Sequence, residues 1–198
     1  MGEQPGGTRR LQQVHAASQM IVTAIDTETT GFLGNRLMAG DLQPYMIQFC
    51  SVKVNLDTEE ILDKYVTFIR PPRQDLLTEK IVEITRITWD DLKDRPMFGS
   101  VAHEIIGRIE EAETVVAHNL SFDRGVLDVE AARIKRAIKW PNMICSVEQT
   151  IYIKGIRLDL SSLHEILLGE RFEDAHRADV DTMALVRCLI AMRRQDMI

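Results

Sequence analysis

Three short segments of this chain carry side chains that could bind metal ions and transfer a proton. Asp26 and Glu28 follow one apolar run, Asp123 follows a second, and His176 precedes Asp181 by five positions. Four carboxylates brought together repel one another unless cations neutralise them, and acidic sites built from oxygen ligands suit hard ions such as Mg²⁺ or Mn²⁺. The residue types therefore predict a phosphoryl-transfer site that holds two divalent metal ions.

Asp26 and Glu28 stand at the end of a predicted strand. Residues i and i+2 of a strand project to the same face, so the two carboxylates are expected to lie side by side. They follow the C-terminal end of that strand, which is where α/β sheets tend to bind ligands. Taken alone, the pair also fits a solvated strand end that is followed by a turn at Gly31.

The middle segment lies at the start of a predicted helix. Asp123 falls in the first turn, where a carboxylate also stabilises the helix dipole. Asn119 stands at the position of the N-terminal cap. Both residues therefore have a structural explanation beside the functional one.

The third segment places a histidine on a loop and an acid in the helix that follows. Histidine has a pKa near neutrality, so His176 is suited to take a proton from an attacking water molecule. The alternative is an exposed histidine at a helix start, with Asp179 and Asp181 compensating the helix dipole.

Strands and helices must position these residues, and their predicted order indicates an α/β protein with a mixed five-stranded sheet flanked by helices. Apolar and β-branched runs predict strands at residues 21–25, 45–54, 65–69, 114–117 and 142–146. The first three of these strands are expected to form an antiparallel meander. We expect one domain over residues 20–194, preceded by a flexible leader at residues 1–19.

Capping residues and apolar spacing predict the helices. One is capped by Thr78 and runs to Glu83, another is capped by Ser100 and runs to about Glu111, and a third runs from about Ser121 to Pro141. The third helix carries an apolar stripe at Leu127, Ala131, Ile134 and Ile138. Further helices are predicted at residues 147–151, 160–168 and 178–193.

Composition disfavours several classes of protein. The 198 residues are 45% hydrophobic and carry a net charge of −6, so a protein that coats duplex nucleic acid is disfavoured. An enzyme that binds only the end of a nucleic-acid strand is compatible with that net charge. Cys50, Cys145 and Cys188 form no C-x-x-C pair, which indicates a reducing, intracellular and most simply cytoplasmic setting. No apolar run approaches the roughly 18 residues of a membrane span.

The order and spacing of the motifs carry a family resemblance. The motifs are Asp26-Thr27-Glu28-Thr29-Thr30-Gly31, Asn119-x-x-Phe122-Asp123 and His176-Arg177-Ala178-x-x-Asp181. Together they resemble the DEDDh (DnaQ-like) family of 3′→5′ exonucleases, the group that contains the proofreading epsilon subunit of bacterial DNA polymerase III. The resemblance covers roughly residues 20–192.

The resemblance implies an RNase H-like exonuclease fold, two divalent metal ions and 5′-mononucleotide products. Asp26, Glu28 and Asp181 would bind the ion that holds the attacking water. Asp26 would also bridge to the second ion, which Asp123 would bind. His176 would be the general base.

The same resemblance implies contacts with the substrate. Backbone groups near Thr29 would reach the terminal 3′-hydroxyl, and Phe32 stands where the family commonly has a bulky residue that wedges between the last two bases. Asn119 is expected to contact the substrate backbone. Four basic residues flank the motifs and are either phosphate contacts or ordinary surface charge: Arg124, Lys154, Arg157 and Arg177.

Two departures from the epsilon pattern leave the substrate open. Residues 84–88 lack the histidine that the epsilon group usually has there, and the loop at residues 32–44 is somewhat long. Single-stranded DNA is the favoured substrate, because the first and third motifs most resemble the epsilon group. RNA is the nearest alternative, as in oligoribonuclease-like and RNase T-like enzymes. A non-catalytic nucleic-acid-binding module is another, against which the intact set of five motif residues argues.

Little chain follows the last predicted helix. The tail by which epsilon-type subunits attach to their polymerase is therefore expected to be missing. The protein is expected either to work alone or to attach to a partner through its leader or a surface patch.

Overall fold

A mixed five-stranded sheet, with strand order β3-β2-β1-β4-β5, forms the centre of the molecule. The structure is a computed structural model that describes residues 19–35 and 40–198, so nearly all of the predicted leader lies outside the described residues. The strands are β1 Ile21–Thr29, β2 Met46–Asn55, β3 Glu60–Phe68, β4 Thr114–Ala117 and β5 Asn142–Cys145. β2 pairs antiparallel with both β1 and β3, whereas β4 pairs parallel with β1 and β5. The predicted fold class and the antiparallel meander are confirmed.

Seven helices surround this sheet within the described residues. They are α1 Glu79–Thr85, α2 Trp89–Leu92, α3 Phe98–Glu110, α4 Leu120–Arg133, α5 Ser146–Lys154, α6 Leu160–Leu168 and α7 Ala178–Arg194. None of the helices in the described part of the chain is both long enough and apolar enough to cross a lipid bilayer.

β1 is apolar on both faces because helices cover both sides of the sheet. Ile25 lies in one buried cluster with residues of α3 and α4, such as Ile105 and Leu127. Its neighbour Ala24 points the other way, into a second cluster with Leu185 of α7. The result is a three-layer arrangement in which side chains at the end of β1 meet α4 on one side and α7 on the other.

Several predicted boundaries are wrong: β3 begins at Glu60 rather than at residue 65, α5 ends at Lys154 rather than at residue 151, and two further helix ends differ for identifiable reasons. α3 begins at Phe98 rather than at a Ser100 cap, because the buried Phe98 ring docks into the core. α4 ends at Arg133 rather than at Pro141, because Lys135 takes a left-handed conformation with φ 58°. The amides of Lys135 and Arg136 then bond back to the carbonyls of residues 132 and 131, which is a Schellman motif. Ile134 and Ile138 still pack on the core, but from beyond the helix end.

The C-terminal half of α4 holds the connection between β1 and β2. Glu130 is only 3% exposed and accepts a hydrogen bond of 2.8 Å from the backbone amide of Met46. The Arg133 guanidinium lies 2.8 Å from the Glu130 carboxylate and stacks 3.7 Å from the centre of the Tyr45 ring. Arg133 also donates to the backbone carbonyls of Gly40, Gln43 and Pro44. One buried ion pair thereby fixes the return of the chain into β2.

We expect Arg133→Met to lower the free energy of unfolding by about 3 to 5 kcal/mol, because it leaves the buried Glu130 carboxylate without its cation. The melting temperature should fall by roughly 6–20 °C for a chain of this size. Denaturant unfolding and calorimetry measure the change. Arg136→Met, at an exposed arginine just beyond α4, is the matched control. Equal losses in the two variants would contradict a structural role for the Glu130–Arg133 pair.

Candidate active site

Asp26 and Glu28 project from one face of β1 toward α7. They alternate with Thr27, whose hydroxyl donates a 2.8 Å hydrogen bond to Oδ1 of Asp123 on α4. Asp123 is 2% exposed and lies in the first turn of α4, as the sequence predicts. Thr27 therefore joins the strand that carries two of the acids to the helix that carries the third.

Asp181 completes a cluster with Asp26 and Glu28. One carboxylate oxygen from each of the three residues lies within 4.8 Å of the other two. Oδ2 of Asp181 accepts a 2.9 Å hydrogen bond from the backbone amide of His176. Its Oδ1 is buried without a hydrogen-bond partner. A buried carboxylate oxygen with no donor is an incomplete arrangement that a cation would complete.

The four acids have raised pKa values, chiefly because burial disfavours their charged forms. Burial, followed by repulsion from Asp123, Glu28 and Asp181, raises the pKa of Asp26 well above its ordinary value. Burial and the neighbouring acids raise the pKa of Glu28 to about 8. Burial raises the pKa of Asp123 to about 7 and that of Asp181 to about 6.

Carboxylate oxygens at this spacing fit divalent cations. Among the described residues, no lysine or arginine contributes to the shifted pKa values of the four acids. The cluster is therefore a concentration of buried negative charge that a hard divalent ion would neutralise. Metal dependence is typical of enzymes with this fold, and the donor set agrees with it.

His176 lies on the loop before α7, where the sequence predicts it. It is exposed, and its backbone has φ 70°, a left-handed conformation that is uncommon for a residue with a side chain. The hydrogen bond from its amide to Asp181 holds this conformation in place. His176 also lowers the pKa of Asp181 through its charge, although burial outweighs that effect. The predicted base therefore stands next to the acidic cluster.

The residues predicted to contact substrate gather around the turn after β1. The hydroxyl of Thr29 donates to the carbonyl of Gly31 at 2.5 Å, which closes the turn. Phe32 is 87% exposed, with its ring edge-on to Phe122 at a centroid distance of 6.5 Å. An exposed aromatic ring braced by a second ring can stack on a base.

Asn119 occupies the N-terminal cap position of α4, but its side chain does not cap the helix. It adopts φ 74°, and its Oδ1 accepts a 3.2 Å hydrogen bond from the Ser121 hydroxyl instead. The predicted structural reason for an asparagine at this position is therefore wrong. The side chain is exposed at the same edge of the sheet as the acidic cluster.

Two of the four flanking basic residues are engaged with carboxylates. Arg124 lies 3.6 Å from Asp128 and over the Trp140 ring. Arg177 donates to Asp179 at 3.3 Å. The other two, Lys154 and Arg157, are exposed at the end of α5 and just beyond it.

Sequence reasoning missed two polar side chains that hold the site together. Thr27 lies between two acids, and its bond to Asp123 depends on a contact 96 positions away along the chain. Gln48 interrupts an apolar strand and is fully buried, with hydrogen bonds to the first turn of α7. A lone amide in a strand predicted to be covered by helices on both faces is the one signal that could have found Gln48.

Comparisons with known proteins agree with the geometry of the site. The profile of the RNase T family, described as "Exonuclease", matches residues 23–189. The DNA polymerase III subunit epsilon of Salmonella typhimurium is 30% identical over 176 residues, which cover 85% of this chain and 69% of that protein.

Two solved structures share the fold. The nuclease domain of 3′hExo, a DEDDh family member solved bound to rAMP, has a TM-score of 0.72 at 17% identity and covers 90% of this chain and 94% of its own. Exonuclease X in complex with 5′-overhanging duplex DNA has a TM-score of 0.63 at 24% identity, with coverage of 88% and 93%. The family profile spans all three motifs, and both the epsilon relative and the shared fold agree with it, so the chain belongs to the DEDDh (DnaQ-like) family of 3′→5′ exonucleases.

Proposed function

We propose that this exonuclease removes 5′-mononucleotides from the 3′ end of DNA, preferentially single-stranded, with two divalent metal ions and with His176 as the general base. The observation that carries the proposal is the cluster of Asp26, Glu28 and Asp181, whose oxygens lie within 4.8 Å of one another. The buried, unpartnered Oδ1 of Asp181 supports it. A protein without catalytic chemistry has no use for so much buried like charge.

In the proposed reaction, a water oxygen attacks the terminal phosphorus and the bond from phosphorus to the 3′-oxygen breaks. Divalent ions bound by the four acids would neutralise the phosphate and make the water more acidic. His176 takes the proton that the water loses, and the departing 3′-oxygen gains a proton. Asp181 holds the His176 backbone in place through the amide hydrogen bond, so the base and the acidic cluster form one unit.

The turn after β1 is proposed to read the strand end. Thr29 and Gly31 form a closed turn beside Glu28, which can present backbone groups to a terminal 3′-hydroxyl. Phe32, exposed and braced by Phe122, is proposed to stack on the terminal base. Asn119 is proposed to contact the substrate backbone.

DNA is favoured as substrate by the epsilon relative, which is named as a subunit of a DNA polymerase. RNA is the second candidate, because a protein of the same fold is solved with rAMP. That protein is 17% identical in sequence to this chain, so the similarity shows a shared fold and nothing more. The epsilon relative also makes a polymerase a candidate partner, and the three free cysteines fit the proposed intracellular setting.

We expect the protein to shorten single-stranded DNA from its 3′ end in the presence of Mg²⁺ or Mn²⁺, and to shorten RNA of equal length more slowly. Oligonucleotides labelled at the 5′ end and resolved on denaturing gels measure both rates. Asp181→Asn, which removes one acid of the cluster, is the inactive control. Faster loss of RNA would move the assignment to the second candidate, and no loss of either would contradict the proposed reaction.

His176→Ala should slow turnover by about 10²- to 10⁴-fold, the usual range for losing a general base. The KM for DNA should change little, because the imidazole is proposed to act on water rather than on the strand. Single-turnover rates across pH measure the effect. His103→Ala, at an exposed histidine on α3, is the matched control. Full activity of His176→Ala at neutral pH would remove the residue from the mechanism.

The raised pKa values predict how metal ions and pH act together on stability. A raised folded-state pKa for an acid stabilises the fold at low pH, and that stability is lost as the pH rises from the unfolded value of about 4 through the folded values. For Asp181, Asp123 and Glu28 those folded values are about 6, about 7 and about 8. The metal-free protein should therefore become less stable between about pH 4 and about pH 8.

Divalent ions bind ionised carboxylates, so Mg²⁺ or Mn²⁺ should raise the melting temperature more at about pH 8 than at about pH 5. Saturating metal adds about 3 kcal/mol at a hundredfold excess over Kd, or roughly 6–12 °C. Differential scanning fluorimetry with chelator and with metal measures it, and Asp181→Asn should reduce the rise. An equal rise at both pH values would contradict the assigned metal-binding cluster.

A further inference from the structure

Gln48 is a buried amide in the middle of β2, and its side chain has no exposed surface. It lies directly opposite Glu28 in the antiparallel register of β1 and β2. Opposed residues of an antiparallel pair project to the same face, so Gln48 faces α7 beside the acidic cluster. A buried amide is costly unless both of its ends find partners.

Both ends of the Gln48 amide bond to the first turn of α7. Its Oε1 accepts a 3.0 Å hydrogen bond from the backbone amide of Ala178. Its Nε2 donates a 3.0 Å hydrogen bond to Oδ1 of Asp179. The Ala178 amide is one of the helix-start donors that have no partner within the helix, so Gln48 replaces a cap. β2 thereby fixes where α7 begins.

Asp179 and Asp181 both lie in the first turns of α7, and their side chains have different hydrogen-bond partners. Oδ1 of Asp179 accepts from Gln48 and also from Arg177, and Asp179 is not one of the three acids whose oxygens form the cluster. Oδ1 of Asp181 has no hydrogen-bond partner, and one carboxylate oxygen of Asp181 lies within 4.8 Å of oxygens of Asp26 and Glu28. The Gln48 amide thus binds Asp179 and not Asp181.

We propose that Gln48 is a positioning residue that selects Asp181, rather than Asp179, as the metal ligand contributed by α7. The inference rests on the proposed function, because it assigns Asp181 to a metal site. Gln48 does not touch the reacting atoms. It sets the rotation and the start of α7 by binding one acid, and this leaves the other free to bind metal.

The two hydrogen bonds of Gln48 can be separated by substitution. Q48M removes both bonds with little change in size. Q48E keeps the acceptor for the Ala178 amide but places a carboxylate against Asp179. Q48E/D179N exchanges donor and acceptor between the two positions, so both bonds can form again and the total charge is that of the original pair. D179N alone keeps the acceptor for Gln48 and tests whether Asp179 itself binds metal.

Mn²⁺ binding by the full chain, followed by electron paramagnetic resonance of the free ion, is the first readout, and the melting temperature without metal is the second. Q48M and Q48E should bind Mn²⁺ about tenfold or more weakly, the usual effect of losing a residue that orients a metal ligand. Q48E/D179N should recover most of the affinity, and D179N should bind nearly as the original chain does. Half-maximal metal concentration for DNA cleavage should follow the same order, with KM for DNA unchanged.

Three outcomes would overturn the proposal. The first is a fall in melting temperature for Q48E with unchanged Mn²⁺ affinity, which is what a purely structural residue would give. The second is a double variant no better than Q48E. The third is a loss of affinity in D179N as large as that in Q48E. Should Q48M fail to fold, the comparison between Q48E and Q48E/D179N decides alone.

The same experiment separates this inference from the proposed function. An original chain that binds Mn²⁺ and cleaves DNA, together with a Q48E variant of equal Mn²⁺ affinity, would overturn the role of Gln48 alone. An original chain that binds no Mn²⁺ would overturn both.

Discussion

Mutual repulsion among four carboxylates, one buried and three half-buried, is the constraint on which the rest of the structure depends. Asp26, Glu28, Asp123 and Asp181 come from one strand and two helices, and burial raises the pKa of each. Bringing such groups together without cations costs free energy that the surrounding fold must supply. The packing of the surrounding elements must therefore offset this repulsion, and a divalent ion bound between the acids would reduce it.

The scaffold meets this constraint with a few polar contacts between elements that are distant in sequence. Thr27 joins β1 to the first turn of α4 through Asp123. Gln48 joins β2 to the first turn of α7. Arg133 holds the connection that returns the chain into β2, so the strand that carries Gln48 is itself fixed. The first turns of both helices that carry site acids are thus bound by a polar side chain of a strand, and apolar clusters pack on both faces of the sheet.

Membership of the exonuclease family accounts for the reaction that the chain can catalyse. It does not specify the substrate, which is expected to depend on the turn and loops around the acids. The epsilon relative covers 85% of this chain, and two solved structures share its fold at low identity. Differences among such enzymes are expected in the turn after β1 and in the loops, because the acids have little freedom to move. Phe32 is exposed beside Phe122 at this turn, whereas the Thr27–Asp123 and Gln48–Asp179 bonds lie among the elements that support the acids.

The sequence by itself determined the fold class and most strands and predicted the candidate site acids, because strand periodicity and motif spacing are local properties of the chain. It misplaced the end of α4, since the left-handed Lys135 that ends the helix carries no glycine to signal it. The motif spacing named Asp181 as the acid contributed by the last helix, but it did not show how Asp179, two positions earlier, is bound. Only the tertiary structure shows the partner of Asp179, a buried amide on β2 that is 131 positions away along the chain. Contacts of that kind depend on how layers pack, and no local pattern of residues encodes them.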